Sequence, residues 1–303
     1  MKIIRPLAID DAIFNSSNMA ENDHNVWDVG TSYSLGDRVI VISTHSIYES
    51  ALAGANTNTG NDPTTDTDGT NWIKVGATNK WKPFDNTLND KATNASSMTF
   101  SLVPSALVNA LAAFEVSADS VQIVVTDPTD GIVYDTTLNL NDNTNVTDWY
   151  TYFYEPIVSA SEFLLTNLPA YSAATIDVTY TVASGNVQLG EMVLGQMQTL
   201  AVSLYNSRVG IQDYSRKDRD AFGNANIVQR AFNDLLDLSF VLDTNKVRTL
   251  QRSLSSLRAT PVVWFGIEDT SVATLVYGYY RDFNINLSNH NKSFGSITIE
   301  GLV

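Results

Sequence analysis

Few side chains in this chain are placed to do covalent chemistry. With no cysteine there is no thiolate nucleophile, no thiolate zinc site and no disulfide framework. The three histidines, His24, His45 and His290, fall in a polar linker, a short strand region and a turn, and none forms a His-x-x-x-His metal pair or a triad spacing. Each reads as a solvated or structural imidazole. There is no Gly-x-Ser-x-Gly elbow and no phosphate-cradling glycine loop. Asp62, Asp66 and Asp68 with Gly69 make an acidic loop of hard oxygen ligands of the kind calcium takes, but the full EF-hand pattern and its closing Glu are missing, and Asn139 to Asp148 is no better. The expectation is no enzyme, no cofactor and no metal.

Two runs are better suited to recognition. Trp149-Tyr-Thr-Tyr152-Phe-Tyr154, between Asp148 and Glu155, is the densest aromatic stretch. In a strand its alternate rings would face opposite sides, half of them packing a core and half forming ordinary surface or a patch for sugar stacking or protein contact. Asp213 to Asp220 is the densest charge run, with Arg216, Lys217, Asp218, Arg219 and Asp220 consecutive. It reads either as a solvated hairpin loop or as a contact in which one subunit's cations meet the next subunit's carboxylates.

Charge narrows the class of partner. The net charge is −15, and the front of the chain carries all of it: residues 1–190 hold 7 Lys or Arg against 22 Asp or Glu, while residues 191–303 hold 11 of each. No Lys or Arg occurs between Lys91 and Arg208. Such a surface repels phosphate, which argues against nucleic acid. No window approaches the roughly 20 apolar residues that span a bilayer, and the opening Met-Lys-Ile-Ile-Arg-Pro has no signal-peptide core, so synthesis in the cytoplasm without membrane insertion is expected.

The elements that would position these runs fall into four segments. Residues 1–25 give a short apolar opening, Ile3, Ile4 and Leu7 around Pro6, read as an edge strand because proline cannot donate to a ladder, followed by polar linker. Residues 26–81 form a unit: Trp27, a turn at Tyr33-Ser-Leu-Gly36-Asp37 leading into Val39, a strand through Tyr48 to Ala51, a Gly/Asn/Thr/Asp loop, Pro63, and Trp72 with Val75. Gly36 supplies positive φ and Asp37 ties the turn's amides, while Trp27, Tyr33, Tyr48 and Trp72 would supply a miniature aromatic core. This pattern resembles the small chitin-binding type of carbohydrate-binding module over about a sixth of the chain. That resemblance implies carbohydrate contact through Tyr33, Tyr48 and Trp72, with Trp149 and Tyr152 of the aromatic run as further candidates. The sequence departs from the family after Ala51, where Leu52 to Gly60 replaces exposed stacking aromatics. Because the first strand precedes the module, the module reads as an insertion.

Residues 86–188 carry strand signals. Val121 to Val125 and Ile132 to Tyr134 flank a Pro/Asp/Gly turn, and Ile176, Val178, Tyr180 and Val182 alternate onto one buried face. An antiparallel β-sandwich follows, similar to the jelly-roll, galactose-binding-like class. In residues 190–303, Leu236 to Leu242 alternates as a strand and Asp243-Thr244 can cap a helix striped by Val247, Leu250, Leu254 and Leu257; more strands follow Pro261. The expected fold is mainly β and multidomain, ending in an α+β sheet with one helix. That last segment resembles the domain from which tailed phages build tail tubes and distal tail rings, and the module followed by sheet-rich sequence is similar to tail-tip proteins. The resemblance implies a structural protein of a virion's tail tip or baseplate. It would pair with copies of itself in a ring, with tip, hub and tail-tube neighbours, and with host-surface glycan. The rival is a stand-alone lectin or the non-catalytic part of a polysaccharide-degrading system.

Overall fold

The computed structural model describes residues 1–52, 58–142, 148–154, 158–219, 222–267, 274–287 and 289–303. Its centre is a ten-stranded antiparallel sheet. From one edge the order is Glu162–Leu165, Ala110–Phe114, Glu191–Thr199, Lys2–Pro6, Val262–Phe265, Leu275–Asn286, Lys292–Gly301 and Phe232–Asp243, with Val202–Ser203 and Arg208–Asp213 both against the last. The chain is mainly β, as its alternating patterns require.

The opening strand is not at an edge. Lys2 to Pro6 pairs with Gly195 to Thr199 on one side, and Lys2 to Ile4 pairs with Val263 to Phe265 on the other. Two consecutive isoleucines explain the difference: Ile3 and Ile4 point to opposite faces and both are fully buried, which only a central strand with two covered faces allows. Pro6 is tolerated because the second pairing stops at Ile4.

The two faces of the sheet have different covers. One carries Ile4, Ala110, Ala112, Phe114, Val193, Val263, Phe265, Leu275 and Tyr277. Phe114 and Tyr277 stack at 5.7 Å although they lie on the second and sixth strands. Four strand spacings in a flat sheet would separate them by about 19 Å. The sheet is therefore curled and this face is concave. On the convex face, Ile3, Trp264, Val276, Leu238, Phe240 and Ile299 pack with Leu250, Leu254 and Leu257 of the helix Val247–Ser256. Farther along the same face, Leu111, Ala113, Met192 and Leu194 join the core of a second sheet, ordered Gly131–Asn139, Ser120–Asp127, Thr175–Leu189, Ala92–Leu102 and Phe14–Ser17. The two layers of β structure thus share a core, and the ten-stranded sheet runs without interruption from strands of residues 86–188 into those of residues 190–303.

The helix begins differently from its sequence reading. Asp243 makes no side-chain cap bond; a short 3-10 turn, Thr244–Lys246, precedes the helix, and the Asp243 carboxylate instead accepts from Lys292 Nζ at 2.8 Å. An ion pair across neighbouring strands outcompetes the cap.

The module forms a three-stranded sheet, Arg38–Val41, Ser46–Ser50 and Trp72–Ala77, beside a two-stranded one, Ser32–Tyr33 with Asn58–Thr59. Gly36 has φ +86°, and Asp37 Oδ2 accepts from Ser34 N–H at 2.7 Å, the turn its sequence called for. At the module's base His45 stacks on Trp81 at 3.9 Å, and its ring nitrogens lie 3.0 Å from Glu21 and 3.1 Å from Asp11. Trp81 itself packs with Phe14 and Phe84 in the main core rather than with the module's core of Tyr33, Tyr48 and Trp72.

Candidate functional site

Three surfaces and one seam hold the side chains that sequence patterns single out or that burial makes unusual. In the module, Tyr33, Val39, Tyr48 and Trp72 form a core of their own, with Tyr33 and Trp72 edge to face at 5.2 Å. Tyr33 and Tyr48 are each 8% exposed and Trp72 is 2% exposed, so their ring faces are occupied by one another. The Trp72 indole donates to the Asn61 carbonyl at 2.9 Å, and the Tyr33 hydroxyl accepts from Asp28 N–H at 2.8 Å. The adjoining acidic loop is bound to its own backbone. Asp62 Oδ1 accepts from Thr64, Asp68 Oδ1 from Thr70, and Asp66 from Gly69, Asn71 and Trp72. Burial pushes the Asp66 carboxyl up, but hydrogen bonding with Asp68 and from those three amides outweighs it and holds the group at about 2. Among the described residues no group of three or more acids or histidines is arranged to hold a metal ion.

The aromatic run is a helix, Trp149–Tyr154, and not the strand its alternation suggested. Spacing of four explains the change: Trp149 stacks with Phe153 at 6.2 Å and Tyr150 packs with Tyr154 at 4.9 Å, pairs that only a helix brings together. All four of these rings are exposed, Trp149 by 79%. Tyr152 lies in the same helix, and its side chain is outside the described set.

The charge run is the first strand of an exposed β-hairpin, Arg216–Arg219 paired with Ala225–Val228, continuing from the edge strand Arg208–Asp213. Asp220 lies outside the described residues. Arg216 pairs with Asp218, and Lys217 with Asp213 at 2.7 Å. Hydrogen bonds from Lys217 and Ser215 hold the exposed Asp213 carboxyl well below the usual range. Between the charges stand Val209, Ile211, Ile227 and Val228, each 48% to 64% exposed. This arm presents apolar side chains and an open strand edge together.

The seam is where the curl brings strands from opposite ends of the sheet near each other. A cavity of about 250 Å³ lies between Glu115 and Glu162 from one end and Phe232, Asp234 and Leu302 from the other. Burial pushes Glu162 up to about 7, with the nearby charges of Asp234 and Glu115 adding to it, and Asp234 is raised by burial and then by Glu115. Lys91 pairs with Glu115 at 2.6 Å. No pattern of residue types points to the half-buried Glu162 or to the fully buried Glu191. The available signal was a single acid bordering an apolar run, Glu162-Phe-Leu-Leu165 and Glu191-Met-Val-Leu194.

No family model and no curated protein sequence matches the chain.

Proposed function

We propose that this chain is a structural protein of a bacteriophage tail tip. Residues 190–303 with the opening strand would form a ring around the tail axis through contacts between copies and with hub and tail-tube neighbours. The insert at 26–81, of carbohydrate-binding-module type, and the sandwich at 86–188, of galactose-binding-like jelly-roll type, would project outward. The reading assigns no catalysis. The observation that carries it is the arm: an edge strand and hairpin with Val209, Ile211, Ile227 and Val228 exposed among alternating charges. A monomer gains nothing by exposing apolar side chains along an unpaired strand edge, and proteins usually blunt such edges unless a partner covers them. A head-to-tail contact that closes on itself covers the arm in every copy.

The test reverses Arg216 and Arg219 to Glu in the phage. Melting of the isolated protein should change little, because the hairpin is exposed, while incorporation into tails should fail. Normal assembly of tails with this double variant would sink the ring reading and leave the arm as solvated surface.

One observation favours contact with glycan as well. Trp149, Tyr150, Phe153 and Tyr154 present exposed ring faces in a region without basic residues, a surface compatible with neutral sugars. The same feature is what a stand-alone lectin would use. Binding of a neutral host oligosaccharide that Trp149→Ala abolishes, by a protein that never enters tails, would favour the lectin.

A further inference from the structure

Where the linker after the module passes the curled sheet, a cavity of about 330 Å³ opens between Leu7, Ile9, Phe84, Met192 and Pro261, with Glu191 among its lining residues. Its walls are mostly apolar, with Asn86 and Tyr277 beside Glu191, and the exposed Ala8 and Thr260 stand among its lining residues at the surface. Glu191 is only 3% exposed. It has one hydrogen bond, accepted by Oε2 from Asn86 N–H at 3.0 Å. Asn86 is itself fixed, with φ +64° and its side-chain oxygen accepting from the Tyr277 hydroxyl. The carboxyl is thus held in place by a rigid neighbour that brings no positive charge.

The charged groups around it do not remedy this. Asp85 precedes Asn86 on the linker and is a second acid; its Oδ1 accepts from Thr87 N–H at 2.8 Å. Lys82, on the same linker, is tied to Asp90 at 2.7 Å. Among the described residues no Lys, Arg or His forms an ion pair with Glu191 or Asp85. Burial pushes Glu191 up to about 9, with the Asp85 charge adding to it against the Asn86 bond, and burial first raises Asp85 to about 6.

We propose that this cavity binds a primary ammonium group carried on an alkyl chain, with Glu191 as its counter-charge and the apolar walls enclosing the methylenes. A buried acid without a cation in an apolar cavity matches that chemistry and fits others poorly. Two acids repel any anion. A hydrated divalent cation needs six or more oxygens, which apolar walls do not supply. A wholly apolar molecule would leave the carboxyl without a new partner and still buried. The chemistry balances simply: the ammonium enters charged, Glu191 gives up its proton to solvent, and an ion pair replaces a neutral acid. The inference does not depend on the tail-tip reading.

The full chain is titrated calorimetrically with n-butylammonium chloride at pH 7, 8 and 9, in buffers of differing ionisation enthalpy, with tetramethylammonium chloride as the control for bulk cation. Saturable binding of n-butylammonium alone is expected, with release of close to one proton at pH 7 and about half a proton at pH 9, and affinity rising about tenfold from pH 7 to 8 and about fivefold from 8 to 9. Glu191→Gln, which mimics the neutral acid and should fold, is expected to weaken binding at least about tenfold. Leu7→Trp fills the cavity while leaving the Glu191 carboxyl in the chain, and should also abolish binding. Equal response to tetramethylammonium, affinity independent of pH, or full affinity in both variants would overturn the proposal. A parallel titration with Nα-acetyl-lysine N-methylamide separates the sources: binding indicates a lysine side chain of another protein, and its absence beside n-butylammonium binding indicates a free alkylamine.

Discussion

Glu162, Glu191 and Asp85 are all held protonated above their solvated range, and Glu162 shows how each shapes the pH response of the fold. Its carboxyl titrates near 4.5 when solvated and at about 7 in the seam. The folded chain therefore holds a proton there that the unfolded chain has lost, and stability falls as pH rises across that window. The contribution is full below about 4.5 and gone above about 7. Glu162→Gln should reduce the slope between pH 5 and 8, the remainder belonging to Glu191 and Asp85, and raise stability at pH 8 by about 2 kcal/mol, read from urea unfolding at pH 5 and 8. An unchanged slope would assign the titration to other groups. At the same scale, Gly195 has no room for a side chain: a Cβ there would lie 1.9 Å from the Arg5 carbonyl oxygen, inside the central ladder. Gly195→Ala should cost more than about 2 kcal/mol in the same assay, because two backbone strands must part to admit it. Neither residue announces itself in the sequence. A lone acid beside an apolar run and a glycine within a strand pattern have many harmless settings, and only the curl and the pairing register decide.

Elements were legible where local periodicity and burial agreed. Ile176, Val178 and Tyr180 are buried on one face of Thr175–Leu189 as their alternation requires, and Leu236, Leu238, Phe240 and Leu242 on Phe232–Asp243 likewise. The aromatic run misled because its ring pairs at a spacing of four outweigh β propensity. The module was legible as a unit, but its end was not. Asp23 Oδ2 accepts from Asn79 N–H at 3.1 Å, so the chain enters and leaves side by side, and Trp81 belongs to the main core. Excision of residues 26–77 with a short Gly/Ser bridge should leave a soluble protein with one cooperative melt, somewhat less stable because His45 no longer covers Trp81. Removal through Trp81 should lower stability further, by about 3 kcal/mol or more, since a large ring leaves the core. Similar melts for the two deletions would show that Trp81 contributes little.

For the whole molecule, the sequence gives no hint that strands from residues 86–188 and 190–303 share one sheet. Local pattern marks a strand without naming its neighbours, and pairings separated by more than a hundred residues leave no periodic trace. The shared core of Leu111 and Ala113 with Met192 and Leu194 makes a testable difference. Separately expressed 86–188 and 190–303 should each be poorly folded by circular dichroism and should expose apolar surface. Two independently cooperative domains would contradict the continuous sheet.

The central seat of Lys2–Pro6 also bears on how the chain is made. During translation this strand emerges before both its neighbours: one, Glu191–Thr199, follows almost two hundred residues later and the other, Val262–Phe265, later still. At roughly 5 to 20 residues per second it waits of order ten seconds or more with Ile3 and Ile4 uncovered. The module and the five-stranded layer can begin to form on the ribosome, but the curled sheet cannot close before nearly the whole chain is out. Such long-range pairing folds slowly. A trigger-type chaperone that shields the nascent end should raise the yield of soluble protein more than slowing synthesis does.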